Sequence, residues 1–159
     1  MDKRRIIQDI QAGLTEELRC LVEAAQAAYE AATHEESRQE DSHDTRSIEA
    51  SYLAGAQATR AAELNRLITL FRFFPVRDLE AGAVACAGAL VQLSCNGTLA
   101  FYFVVPQGGG LVTRVDGEAV QVITPLSPIG DALMGKKVGE TVDVETRSGD
   151  RQYKVISIQ

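Results

Sequence analysis

Residues 34–45, HEESRQEDSHDT, gather both histidines of the 159-residue chain and a dense run of carboxylates, with no glycine or proline among them. Glu36, Glu40, Asp41 and Asp44 are hard oxygen donors, which suit a cation such as Mg²⁺ better than zinc. Zinc hydrolysis is not spelled out: His34-Glu35 begins like H-E-x-x-H, but Arg38 stands where the second histidine is required. An exposed connection would hold a cation only weakly on its own. A site shared with a partner is therefore the more physical version of a metal reading, and the plainest alternative is a solvated, charge-rich turn.

Elsewhere, residues able to do chemistry are sparse. Gly108-Gly109-Gly110 belongs to no G-x-x-x-x-G-K-[ST] and opens no helix, so it reads as a loop between strands. There is no G-x-S-x-G, and the histidines lie far along the chain from Cys86 and Cys95, which argues against serine and cysteine hydrolases. Cys20, Cys86 and Cys95 are odd in number and lack C-x-x-C spacing, as expected of idle thiols in a reducing compartment.

Two long helices must carry the acidic segment. Ile7, Ile10, Leu14, Leu18, Leu21, Ala25, Ala28 and Ala32 recur in steps of three and four, close to a coiled-coil period. Leu53, Ala54, Ala58, Ala61, Leu64, Ile68 and Phe71 form a second helical stripe, which Phe73-Phe74-Pro75 ends. Both stripes turn alanine-rich towards the acidic segment. They predict an antiparallel helical hairpin over 1–74, with its tip near 34–45 and its helices closest near that tip.

From Pro75 the period drops to two. Apolar runs at 90–94 and 99–105 flank Asn96-Gly97, and runs at 141–146 and 152–158 flank Ser148-Gly149-Asp150, which predicts two hairpins. A further strand is expected over 119–124. Pro128 to Met134 reads as a short helix with Ser127 as N-cap and Gly135 as its stop. The expected class is α+β, with residues 75–159 forming a small antiparallel sheet domain that carries one short helix and folds by itself.

The net charge of −6 argues against a protein that coats nucleic acid by bulk electrostatics. No apolar run reaches the roughly 18–20 residues that span a bilayer, and Gln8, Asp9 and Gln11 interrupt anything like a secretion signal, so a cytoplasmic location is expected.

This layout, with LSPIGDALMGKKVGETVDVETRSGDRQYKVISI, resembles the bacterial Gre transcription elongation factors. Ser127, Pro128, Ile129, Ala132, Leu133, Gly135, Lys136, Gly139 and Val142 fall in register with the family pattern S-P-I-x-x-A-L-x-G-K-x-x-G-D-x-V-x-V, and Glu140 replaces its aspartate. The resemblance implies an FKBP-like second domain that docks on bacterial RNA polymerase through the loop of Ser127, Pro128 and Ile129. It also implies a helical arm entering the secondary channel, where tip carboxylates help hold a Mg²⁺ shared with the polymerase and promote cleavage of a backtracked transcript. No catalytic centre or stably bound cofactor of its own is implied, and nascent RNA would be met only indirectly.

The tip departs from the family's G-D-L-x-E-N-A-E-Y. With Glu40-Asp41 set against E-N, Ser37 takes the aspartate position, Glu36 the glycine and Asp44 the tyrosine. One metal-directed carboxylate is matched, and Glu36, Asp41 or Asp44 would have to supply the other. The alternatives are a non-cleaving channel regulator, similar to Rnk-like or anti-Gre proteins, and an FKBP-type peptidyl-prolyl isomerase. Against the isomerase, the chain has no Trp, and the consecutive Phe101, Tyr102 and Phe103 suggest no aromatic-lined pocket.

Overall fold

The order of elements follows the change of period. The computed structural model describes residues 1–33, 45–80, 82–146 and 149–159. Helix α1 covers Lys3–Thr33 and α2 covers Thr45–Arg72; β1 Leu90–Cys95, β2 Thr98–Val104, β3 Val112–Val115, β4 Glu118–Ile123, the short α3 Pro128–Leu133, β5 Thr141–Thr146 and β6 Gly149–Ile158 follow. By internal contacts the chain divides into Met1–Ile10 with Phe73–Gln159, and Gln11–Arg72. The division drawn from sequence at 74/75 leaves Met1–Ile10 with the arm, whereas those residues cluster with the sheet. The reason is visible in the side chains: Ile6, Ile7 and Ile10 are all buried, and Ile6 beside Ile7 widens the apolar face beyond a single coiled-coil seam.

In the sheet unit the strands run in the order β3-β4-β2-β1-β6-β5. The expected antiparallel pairing holds for β1/β2, β1/β6, β3/β4 and β5/β6, but β2 and β4 pair in parallel, so the sheet is mixed. At the β1/β2 hairpin Cys95 pairs with Thr98, and both Asn96 and Gly97 have positive φ, the two-residue turn whose twist matches that of the strands. Asp116-Gly117 repeats the device between β3 and β4, with φ of 55° and 86°. One core gathers Val91, Leu93, Tyr102, Val104, Ile123, Leu133, Val142, Val144, Tyr153 and Val155, so α3 is held through Leu133. Leu90, Phe103, Val120 and Val122 are buried as well, and Phe74 stands edge-on to Phe103 with ring centroids 5.8 Å apart.

Lys3 is the one charged side chain that is buried among the described residues, with only 5% of its surface exposed. Its ammonium donates to the carbonyls of Arg77 and Gly88, tying the start of α1 to the strand-free segment ahead of β1. Burial pushes its pKa down, and the opposing charge of Asp78 only partly restores it.

In the unit Gln11–Arg72 the helices run antiparallel: Arg60 of α2 bonds Glu17 of α1 at 2.6 Å, while Tyr29 and Leu53, further along each helix, line one groove. Burial falls along both stripes. Leu14, Leu64 and Phe71 are buried, Leu18, Leu21, Ala25, Ala61 and Ile68 are half-buried, and Ala28, Leu53, Ala54 and Ala58 are exposed. The expected close approach of the alanine-rich ends is not found. A groove of about 420 Å³ lies between the helices there, because small side chains that do not interlock leave space rather than contact.

Candidate docking cleft

The N-terminal turn of α3 is built by hydrogen bonds that leave little freedom. Ser127 N–H donates to the Thr124 carbonyl at 2.9 Å, which closes the turn Thr124-Pro125-Leu126-Ser127 with proline at its second position. The Ser127 hydroxyl then donates to the same carbonyl at 2.7 Å and accepts the Gly130 N–H at 3.2 Å, as an N-cap should. Pro128 occupies the first helical position, where its missing N–H costs nothing. Gly130 fits because it is glycine: a Cβ there would lie 1.9 Å from the Thr124 oxygen and 2.8 Å from the Ser127 hydroxyl.

This turn borders a cleft of about 420 Å³ lined by Tyr102, Gly109, Gly110, Gln121, Val122, Ile123, Ser127, Pro128, Ile129, Val144, Glu145 and Tyr153. The structure thus brings Ser127, Pro128 and Ile129 together on one wall, with Pro128 exposed and the other two half-buried. It also corrects the expectation that no aromatic-lined pocket exists. Tyr102 is central to β2 and Tyr153 to β6, and the alternation of strand side chains turns both to the same face. Burial pushes the Tyr102 pKa up, with Tyr153 and Cys95 adding to it and Arg151 opposing, so the hydroxyl stays protonated at neutral pH.

Among the described lining residues, the Ser127 hydroxyl is committed to its turn and Glu145 is the charged group. No group of three or more His, Cys, Asp or Glu stands close enough to hold a metal among the described residues. The tip carboxylates Glu36, Glu40, Asp41 and Asp44, with Ser37 and both histidines, lie outside the described residues. Among those described, no helix is long and apolar enough to cross a membrane.

Sequence reasoning passed over Leu126, whose side chain is 93% exposed at the third position of the turn. An aliphatic residue between two prolines, where turns ordinarily place glycine or a small polar residue, was the available signal. It also passed over Gly130, hidden in an unspecified position of the motif.

Residues 113–159, which hold this turn, α3 and the last two strands, match the family described as transcription elongation factor, GreA/GreB, C-terminal. The transcription elongation factor GreA of Thermotoga sp. (strain RQ2) is 29% identical over 106 residues, covering 67% of this chain and 54% of that protein. GreA of Caldanaerobacter subterraneus subsp. tengcongensis is 51% identical over 37 residues, 23% of this chain and 24% of its own length. The chain therefore spans about half the length, or less, of these curated relatives. Among solved structures, GreA factor homolog 1 (Gfh1) of Thermus thermophilus covers 94% of both chains at 22% identity, with a TM-score of 0.39, too loose a superposition to carry functional weight. In residues 113–159 the chain is GreA/GreB-like, and over 106 residues it is similar to a GreA transcription elongation factor.

Proposed function

We propose that the protein binds RNA polymerase through the cleft wall formed by Ser127, Pro128 and Ile129, and brings the acidic segment 34–45 to the polymerase's own active centre by way of the secondary channel. The observation that carries this reading is that the family match covers a place, among the described residues of the sheet unit, where a rigid turn, an exposed proline and an apolar cleft coincide. Binding is then the task of the sheet unit, and the arm is a delivery device without a catalytic centre of its own.

The donor chemistry of the tip fits a shared Mg²⁺. Glu40, with Glu36, Asp41 or Asp44, would offer carboxylate oxygens, and such a cation when bound would supply activation of water. Ser37 offers only a neutral hydroxyl at the position where the family places a second carboxylate. The charge attraction for a weakly held cation falls accordingly, so the protein is expected to occupy the channel yet stimulate cleavage feebly.

The test is cleavage of a labelled transcript in stalled, backtracked complexes at fixed Mg²⁺. Ser37→Asp should raise the rate, and Glu40→Ala should abolish what activity there is while polymerase binding persists; one metal-directed carboxylate is worth on the order of 10² to 10³ in rate. Strong wild-type cleavage that survives Glu40→Ala would show that the tip register is wrong. No gain from Ser37→Asp despite intact binding would favour a channel-occupying regulator. The tyrosine-lined cleft gives the isomerase a specific observation in its favour, and a proline-isomerisation assay on a short peptide separates it from the docking reading.

A further inference from the structure

Two tyrosines of the sheet unit carry hydroxyls that the fold does not use. Tyr102 and Tyr153 are each 9% exposed and pack into the core. Neither hydroxyl makes a hydrogen bond among the described residues. Yet no side-chain nitrogen or oxygen among those residues is both sealed from solvent and without a partner. Both hydroxyls therefore open into the cleft of about 420 Å³ that their rings line. A buried tyrosine ordinarily finds a partner for its O–H, so two that face one apolar hollow unpaired are donors held ready for an acceptor.

The cleft is also long. Its lining runs from Gln121 on β4 through Tyr102 on β2 and Tyr153 on β6 to Val144 and Glu145 on β5, and β1 lies between β2 and β6 in the sheet. Four strand intervals separate β4 from β5, which is about 19 Å across the sheet. An extended polypeptide of about five or six residues has that length.

The chemistry of the lining selects among extended molecules. A hydrocarbon chain would leave both phenols unpaired, at a cost for each. An anionic chain, whether nucleic acid or fatty-acid carboxylate, would meet Glu145, the charged group among the described lining residues, in a protein of net charge −6. A peptide offers neutral carbonyls to the two O–H donors and an aliphatic side chain to Val122 and Val144. Where it carries Lys or Arg, it also offers a cation to Glu145.

We propose that this cleft is a binding site for an extended peptide segment of about five residues, whose main-chain carbonyls accept from Tyr102 and Tyr153, whose aliphatic side chain fills the hollow beside them, and whose Lys or Arg pairs with Glu145. Burial keeps Tyr102 protonated, so its donor persists at neutral pH. The site goes beyond the polymerase-binding reading, and its test uses the protein alone. Binding alters no bond of the peptide, so it stands whether or not proline isomerisation is observed.

The experiment titrates the isotopically labelled full chain, followed by NMR, with the end-blocked pentapeptide Ala-Leu-Ala-Ala-Arg and with its reverse, Arg-Ala-Ala-Leu-Ala, so that both chain directions are sampled. Saturable shifts should appear at Tyr102, Val144, Glu145 and Tyr153 with at least one of them. Tyr102→Phe and Tyr153→Phe remove only hydroxyls that the fold leaves unpaired, so both should keep the wild-type melting curve, and each should raise Kd by about 5-fold. Replacing the peptide's Arg by Glu should weaken binding by about 3-fold at low salt and by less at high salt. No saturable shift with either peptide at millimolar concentration would overturn the proposal. So would shifts confined to residues outside the cleft, or affinity that Tyr102→Phe and Tyr153→Phe together leave unchanged. Indifference to the exchange of Arg for Glu would overturn the pairing with Glu145.

Discussion

Replacing Gly130 by alanine opposes two effects whose balance the structure decides. In an exposed helix the change would be stabilising by about 1 kcal/mol, because glycine is the poorer helix former. Here the new Cβ would fall 1.9 Å from the Thr124 oxygen and 2.8 Å from both the Thr124 carbonyl carbon and the Ser127 hydroxyl. The first of these is a backbone acceptor holding two hydrogen bonds, so it cannot swing aside as the end of a flexible side chain would. Helix α3 must shift, which costs about 1–3 kcal/mol as overpacking, and displacing the Ser127 cap removes about 1 kcal/mol more. The loss outweighs the gain by about 1–3 kcal/mol. For a unit the size of Met1–Ile10 with Phe73–Gln159, that lowers Tm by roughly 5–15 °C. With Tyr29 and Tyr52 replaced by Phe in both proteins, the tyrosine band of the near-UV circular dichroism comes from Tyr102 and Tyr153, which are buried in that unit. A Tm equal to or above that of wild type would refute the close approach of α3 to Thr124, and with it the account of why the turn is rigid.

Three further outcomes follow from the same geometry. Ile6→Ala should cost the sheet unit about 2–4 kcal/mol by denaturant unfolding, as expected for a buried aliphatic side chain; no loss would mean that Met1–Ile10 is not part of that unit. Lys3 has a folded-state pKa below the ordinary lysine value of 10.5, so between the two the unfolded chain holds more protons and stability rises with pH. Wild type should therefore gain on Lys3→Met between neutral pH and 10.5, and a decline over that window would contradict the burial of the ammonium. Tyr102 should ionise above the usual tyrosine range in a spectrophotometric titration, so its ionisation penalises the folded state as pH climbs past 10; deprotonation at the usual value would mean the cleft is wet.

What could be read from sequence was what local chemistry writes. Asn96-Gly97 announced its hairpin because two successive residues with positive φ favour that pair, and Ser127, Pro128 and Gly135 marked α3 by cap, start and stop. Strand β3 went unread although Asp116-Gly117 carried the same signal: four residues between a glycine run and a turn are too few to show a period. The parallel β2/β4 pairing has no local mark, since neither strand is joined to the other by a turn. The grouping of Met1–Ile10 with the sheet was hidden because Ile7 and Ile10 continue the stripe of the arm. At the alanine-rich ends, the stripe fixed which residues share a side but not how near the helices come, and the groove there shows the difference. The turn of Ser127, Pro128 and Ile129 was legible through the family motif, whereas the exposure of Leu126 and the tight fit of Gly130 needed the geometry of the turn.

The central claim is that the protein is a polymerase-binding factor whose sheet unit makes the attachment. The most direct measurement is co-elution of purified wild-type protein and Pro128→Glu with core RNA polymerase in size-exclusion chromatography, with circular dichroism of both proteins alongside. Pro128 is exposed at the first position of α3, where a helix tolerates glutamate, so the variant should keep its fold. The account predicts that wild type elutes with the polymerase and that folded Pro128→Glu largely does not. Wild-type protein that is folded yet elutes alone, or a variant that co-elutes as fully as wild type, would contradict it.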